Sequence, residues 1–298
     1  MTNLMMPKSK SIRIPKTTRY QNAALEYYLG LTNSPYLHFG YWEPVPTSTE
    51  ELTFSRLRAA QLSYSERLLD FIPTGTNTVL DVGCGLGGNA AYLLARGFAV
   101  EGLAPDPFQQ SMFLQHTRYQ ASFHLTKFEE FQSSHSYDLI LFSESSQYIA
   151  ANDLATGAAR LLDCGGYLLL ADMLRVDAGY DSGIFSNCLV ADELCAALVQ
   201  AGFKLVTTED ISKQVVPTID LAVHHFRTFG LTTMKYIAQL AAIALPPLHA
   251  LIRHLFGKWV QELIAEGLEA HAIFERHLCY QIQLWQLSEK DKESCDDK

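Results

Sequence analysis

Short apolar runs alternate with stretches of helical period through the middle of the chain, the pattern of a parallel α/β sheet. Thr78–Val82 reads as a strand, followed by closely spaced glycines and a helix through Leu93–Leu94 that Gly97 ends. Further strands are expected at Phe98–Leu103, Ser122–Leu125, Asp138–Ser143, Tyr167–Asp172 and Phe203–Glu209. Helices are expected around Leu154–Leu162 and Glu193–Ala201. In Cys279–Leu287 the residues Tyr280, Ile282 and Leu284 alternate with Gln281 and Gln283, which predicts a last, partly exposed strand. Two segments stand outside this core. Residues 19–71 form an expected helical lid, with a helix opened by Ser48-x-x-Glu51 and stopping before Pro73. Residues 213–272 form an expected helical cap.

These segments divide the chain into a basic, disordered tail (1–18), the lid (19–71), a core (72–212), the cap (213–272), a last strand completing the core (273–288) and a second disordered tail (289–298). With 298 residues, 48% of them hydrophobic, such a core needs neither disulfides nor metal to hold it. The charge of −9 argues against a nucleic-acid partner. The apolar stretch Ile237–Ile252 is broken by Gln239, Pro246, Pro247 and His249, too short and polar for a transmembrane segment. Cys84, Cys164, Cys188, Cys195, Cys279 and Cys295 form no C-x-x-C pair, so no metal site is expected. The basic N-terminus lacks an apolar signal segment, and a reducing, cytoplasmic setting follows as the expectation.

The stretch from Val79 to Gly88, VLDVGCGLGG, carries the chemistry. Glycine allows the tight strand-to-helix turn and close backbone approach to a ligand. Gly83, Gly85 and Gly88 also satisfy the dinucleotide pattern G-x-G-x-x-G, so a nicotinamide site is a rival. Asp81 disfavours it, because an acid there repels pyrophosphate and favours a cationic ligand.

Asp81, Gly83, Gly85 and Gly87, with Tyr137–Asp138 and Leu162–Gly166, make the chain resemble the class I S-adenosylmethionine-dependent methyltransferases. The resemblance implies an α/β fold: a Rossmann-like seven-stranded sheet with an antiparallel last strand and helical cap segments, and S-adenosylmethionine as cofactor. It implies cofactor contacts at Tyr36, Asp81, Gly83, Gly85, Gly87, Ala104, Gln109, Phe128, Glu129 and Ser143, with Glu130 as an alternative to Glu129. Ala104 departs from the pattern, because many members have an acid there for the ribose. Gln109 matches the residue that replaces it in the cyclopropane-synthase-like and tocopherol-methyltransferase-like branches, and Asp106 is a second substitute. The segment HFGYWE, residues 38–43, is similar to lids of those branches, with Tyr36 and Tyr41 as expected contacts.

An alcohol acceptor needs a general base more than an amine does. Candidates are His38, Glu144 and His224, the last beside His225. The cap stripe Phe226, Phe229, Tyr236, Leu240, Ile243, Leu248 and Leu251 predicts a bulky, hydrophobic small-molecule acceptor. Taken whole, the motifs resemble tailoring O-methyltransferases of natural-product pathways, the microcystin/nodularin type in particular. N- or C-methylation of the sarcosine, tocopherol or sterol type, and a binding module without turnover, stay open. The oligomeric state is not legible.

Overall fold

The computed structural model describes residues 16–288. Its strands are β1 (Thr78–Val82), β2 (Ala99–Leu103), β3 (Ser122–His124), β4 (Tyr137–Ser143), β5 (Leu162–Arg175), β6 (Phe203–Asp210) and β7 (Leu278–Leu287). They form one sheet in the order β3-β2-β1-β4-β5-β7-β6, parallel apart from β7, which runs antiparallel to both neighbours. This is the class I methyltransferase sheet. The helices are α1 (Lys16–Thr32), α2 (Phe54–Asp70), α3 (Gly88–Leu94), α4 (Pro107–His116), α5 (Ala151–Leu161), α6 (Ala191–Gln200), α7 (Ser212–His225), α8 (Leu231–Ala244), α9 (Pro246–Leu268) and α10 (Ala270–His277).

Strand alternation sorts the core into two faces. Val79, Leu139, Leu141, Leu169 and Tyr280 point to one side, where α2, α3, α4, α7 and α10 cover them with Tyr64, Leu93, Phe113, Ile219 and Phe274. Leu80, Ile140, Phe142, Leu168 and Trp285 point to the other, under Leu154 and Ala158 of α5 and Leu194 and Leu198 of α6. Each fully buried Leu-sized side chain stabilises the fold by about 1.5–3 kcal/mol.

Four expectations need correcting. The Ser48 side chain caps no helix: it precedes a single 3-10 turn, Thr49–Glu51, and α2 starts later, where the Thr53 side chain accepts from the Arg56 N–H. Lys16–Thr32 is helical, so residues 16–18 do not belong to a disordered tail; residues 1–15 and 289–298 lie outside the described residues. Residues 273–277, expected with the last strand, end α10 instead. And β7 is largely dry on both faces, because α7 and α10 pack on one side of the sheet and α5 and α6 on the other. Gln283 is only 4% exposed and is satisfied within the strand, accepting from Trp285 Nε1 at 2.9 Å and donating to Gln281 Oε1 at 2.6 Å.

The chain between β6 and β7 is helical throughout, with a π-helical turn at Phe226–Gly230. α7 and α10 pack on the core, whereas α8 and α9 bury no residue. No described helix is long and apolar enough to cross a membrane.

Candidate active site

A cavity of about 580 Å³ opens at the carboxyl ends of β1, β2 and β4, where open parallel sheets bind their ligands. Its floor is the turn after β1. Gly83 and Gly85 have φ of +70° and +53°, and a Cβ on Gly83 would lie 2.3 Å from the Ser145 Cβ. The Gly83 N–H donates to the Leu103 carbonyl at 2.7 Å, which ties this turn to the end of β2. Only glycine fits such a turn without strain or collision.

Asp81 is buried on the cavity wall, and its Oδ2 has no hydrogen-bond partner among the described residues. Burial pushes its carboxyl up to about 7. A buried carboxylate oxygen without a partner is costly, and a cationic ligand relieves that cost.

Glu144 follows β4 with φ of +54°, a strained backbone for a residue with a Cβ. Its Oε1 accepts from the Phe39 N–H at 2.6 Å and from the Tyr280 hydroxyl at 2.9 Å. Burial pushes this carboxyl up to about 8, with the nearby Asp172 charge adding to the rise. Asp172 is itself buried and pushed up to about 6 by burial; it accepts from the Ser146 N–H at 2.9 Å and hydroxyl at 2.7 Å, fixing the loop that presents Glu144.

Pro35, Tyr36, Leu37 and His38 form the other wall, and hydrogen bonds fix the course of residues 34–42. Gln61 of α2 donates to the His38 carbonyl at 2.7 Å and accepts from the Ser34 hydroxyl at 2.7 Å. Thr218 of α7 accepts from both the Gly40 N–H at 3.0 Å and Trp42 Nε1 at 2.9 Å.

A family model described as a methyltransferase domain matches residues 80–170. The chain is 29% identical over 201 residues to methyltransferase GfsG of Streptomyces halstedii, covering 61% of this chain and 70% of that one. It is 27% identical over 204 residues to an O-methyltransferase of Pyrenophora dematioidea, covering 61% and 73%. These matches make the chain an S-adenosylmethionine-dependent methyltransferase. The fold of this methyltransferase is also that of the (4+2)-cyclase SpnF, with a TM-score of 0.67, 16% identity, and coverage of 92% and 96% of the two chains.

S-adenosylmethionine suits the pocket of this methyltransferase. The unpartnered Asp81 oxygen matches a donor that carries an ammonium and a sulfonium, and the two glycines leave room for it against the backbone. Tyr36, Asp81, Gly83, Gly85, Ala104, Gln109, Phe128, Glu129 and Ser143 all line the cavity, and so do His38 and Glu144. Glu129 lines it, whereas Glu130 is absent from the wall. Asp106 lines it as well; it is the N-cap of α4, accepting from the Phe108 N–H at 2.9 Å, and Gln109 sits one turn further along. The start of α4 therefore offers two polar groups beside the apolar Ala104.

Several expected residues are placed elsewhere. Gly87 lies outside the cavity wall: a Cβ there would stand 2.9 Å from the Phe113 ring, so its φ of +86° serves the packing of α3 on α4. Tyr41 is half-buried against the core, with its N–H on the Ala60 carbonyl, and does not reach the cavity. His224 is exposed in the last turn of α7, outside the wall. His38 reaches the wall but is engaged on both sides: Nδ1 is 2.7 Å from the Phe39 carbonyl and Nε2 is 3.2 Å from Asn89 Oδ1. Its ring stacks on Tyr64 with centroids 4.2 Å apart, and burial lowers its pKa to about 4. So weak a base does not take a proton near neutrality; it fastens the lid to α3. The cap stripe from Phe226 to Leu251 contributes no residue to the wall.

Sequence reasoning missed the group behind Glu144. The hydroxyls of Tyr64 and Tyr280 are 2.8 Å apart, and Tyr64 Oη is 3.3 Å from the Ser143 hydroxyl. Asn89 accepts from the Ser65 hydroxyl at 2.7 Å and donates to Ser143 at 3.2 Å. The position of Tyr280 on the inward face of β7 was the available signal. For Tyr64, inside the helical lid, there was none. Among the described residues no group of His, Cys, Asp or Glu is arranged to hold a metal ion.

Proposed function

We propose that this methyltransferase transfers the methyl group to a hydroxyl of a bulky, partly apolar small molecule, as a tailoring step on a natural product. The observation that carries this reading is Glu144: a carboxyl at about 8, on the cavity wall, with both of its hydrogen bonds on Oε1. A hydroxyl acceptor must lose a proton, and a group near the working pH serves best as its base. Leu25, Leu37, Tyr148 and Ile149 supply the apolar wall for the acceptor. The name of the Pyrenophora relative, O-methyltransferase, points the same way.

The cofactor, when bound, supplies an electrophilic methyl group on a sulfonium. The chain's own residues do the rest. Asp81 holds the cationic end, Gln109 and Asp106 serve the ribose, and Phe128 and Glu129 the adenine. The lid excludes water and restricts the relative orientation of the two substrates. Glu144 takes the hydroxyl proton, and Tyr280 with the Phe39 N–H fixes the carboxylate that receives it.

Glu144→Gln is expected to lower kcat by roughly 100-fold, a common loss for a general base, with the donor-induced thermal shift retained. In the wild type, kcat/KM for the acceptor should rise with pH up to about 8, because the carboxylate form grows through that range; the variant should lack this rise. A variant with full turnover and the same pH profile would defeat the oxygen-acceptor mechanism. Labelled S-adenosylmethionine with extracts of the source organism would identify the product, and a product labelled on nitrogen or carbon would refute the acceptor class.

A further inference from the structure

The pair α8–α9 breaks the usual relation between apolar helices and burial. On α9, Leu251, Ile252, Leu255, Phe256, Trp259 and Leu263 repeat at helical spacing, forming a single stripe. All six are exposed, Phe256 by 52% and Trp259 by 62%. Among the half-buried positions of α9, Gly257, Val260 and Ile264 lie on the opposite side, away from the stripe. Contiguous exposed apolar surface of this kind marks an interaction site.

Charge selects the partner. The chain carries −9 overall, yet residues 221–261 hold Arg227, Lys235, Arg253 and Lys258 and no Asp or Glu; Glu262, 3.6 Å from Lys258, and Glu266 follow, so the segment to Leu268 sets four cations against two acids. Arg253 and Lys258 flank the α9 stripe on either side. A second copy of this hairpin would cover the stripe but would set four cations against only two glutamates. A nucleic acid would meet the cations but not the stripe. A bilayer with anionic head groups satisfies both, the stripe entering the acyl boundary and the cations meeting the head groups. No described helix can cross the bilayer, so the hairpin lies on it. We propose that α8–α9 docks this enzyme on an anionic membrane surface.

Tryptophan reports on this directly. Of the three tryptophans, Trp42 and Trp285 are each 2% exposed, and Trp259 is the exposed one. Adding vesicles of phosphatidylcholine with phosphatidylglycerol to the full chain should shift its emission to the blue and carry the protein upward in flotation. Phosphatidylcholine alone should bind at least tenfold less protein, and added salt should release it. Trp259→Phe should abolish the shift while keeping flotation. Phe256→Glu and Arg253→Glu/Lys258→Glu should each cut flotation at least tenfold with the donor-induced thermal shift unchanged, which shows that the fold survives. No flotation of the wild type on anionic vesicles, or equal flotation of these variants, would overturn the proposal. So would a stable dimer by light scattering that Phe256→Glu dissociates and vesicles do not, because a second copy would then be the occupant.

Discussion

The segment 34–42 and the hairpin α8–α9 both read as apolar covers in the sequence, yet they meet opposite fates. The first is clamped over the cavity; the second buries none of its residues. Apolar content does not separate them, since both are rich in aromatic and aliphatic side chains. What separates them is polar pairing. The main chain of 34–42 finds Gln61, Thr218 and Glu144, each on a different element, so its position is fixed at three points. Among the described residues, the only side-chain hydrogen bonds within α8–α9 and the turn before it run from Thr228 and Thr232 back to their own helix. An apolar stripe thus says that a face is sticky, whereas buried polar partners say where it sits.

Matched substitutions can break that comparison. The largest contrast is between two glycines. At Gly40 a Cβ would stand 2.6 Å from the Ala60 Cβ and 3.2 Å from its backbone carbon, whereas at Gly257 the nearest atom is 3.6 Å away. Gly40→Val should therefore displace the lid, with turnover falling at least 100-fold and stability by about 3 kcal/mol. Gly257→Ala should keep turnover and raise stability by about 0.5–1 kcal/mol, the usual gain inside a helix. Equal effects at both sites would refute the distinction. Next comes Thr218, whose hydroxyl takes two buried donors. Thr218→Val should cost about 2–3 kcal/mol in chemical denaturation, because both donors are left unpaired, and should raise the acceptor KM. Leu255→Ala on the exposed stripe should stay within about 0.5 kcal/mol of the wild type.

Much of the fold was legible because strand alternation and the glycine turn are local signals. Asp81, Gly83 and Gly85 could be placed from the sequence because one strand and one turn set their positions. Gln109 was legible only through the resemblance to branches that carry a glutamine there. Glu144 was legible as the residue after an apolar strand, but its partners were not: Phe39 and Tyr280 come from segments 105 and 136 positions away. The interior place of β7 was hidden for a similar reason, since a strand's polar alternation does not reveal that glutamines will satisfy each other within it. The cap failed as a pocket wall because helical periodicity names a face and not its neighbour.

The pH dependence of stability tests whether the lid side alone carries the protein's pH sensitivity. Folded Glu144 and Asp81 hold protons up to about 8 and about 7, where their unfolded forms have ordinary carboxyl values of 4.5 and 3.8. Unfolding therefore releases protons through this range, so stability is greatest at the acid end and falls as pH rises through these values. Asp172 acts alike up to about 6. His38 acts in reverse: unfolded it takes a proton below 6.5, folded only below about 4, so its share is lost as pH falls through that window. Below 6.5 the two trends oppose each other; between about 6.5 and 8 the carboxyls act together with His271, which, against its burial, Asp220 holds above its ordinary value and whose share is lost in the same direction. The ligand-free enzyme should then lose about 1–2 kcal/mol across that interval. Glu144→Gln should remove most of the slope and Asp81→Asn a smaller part, and neutralising Lys258 or Glu262 on the hairpin should leave it unchanged. A slope that survived both lid-side substitutions would mean that the buried carboxyls are not what couples folding to pH.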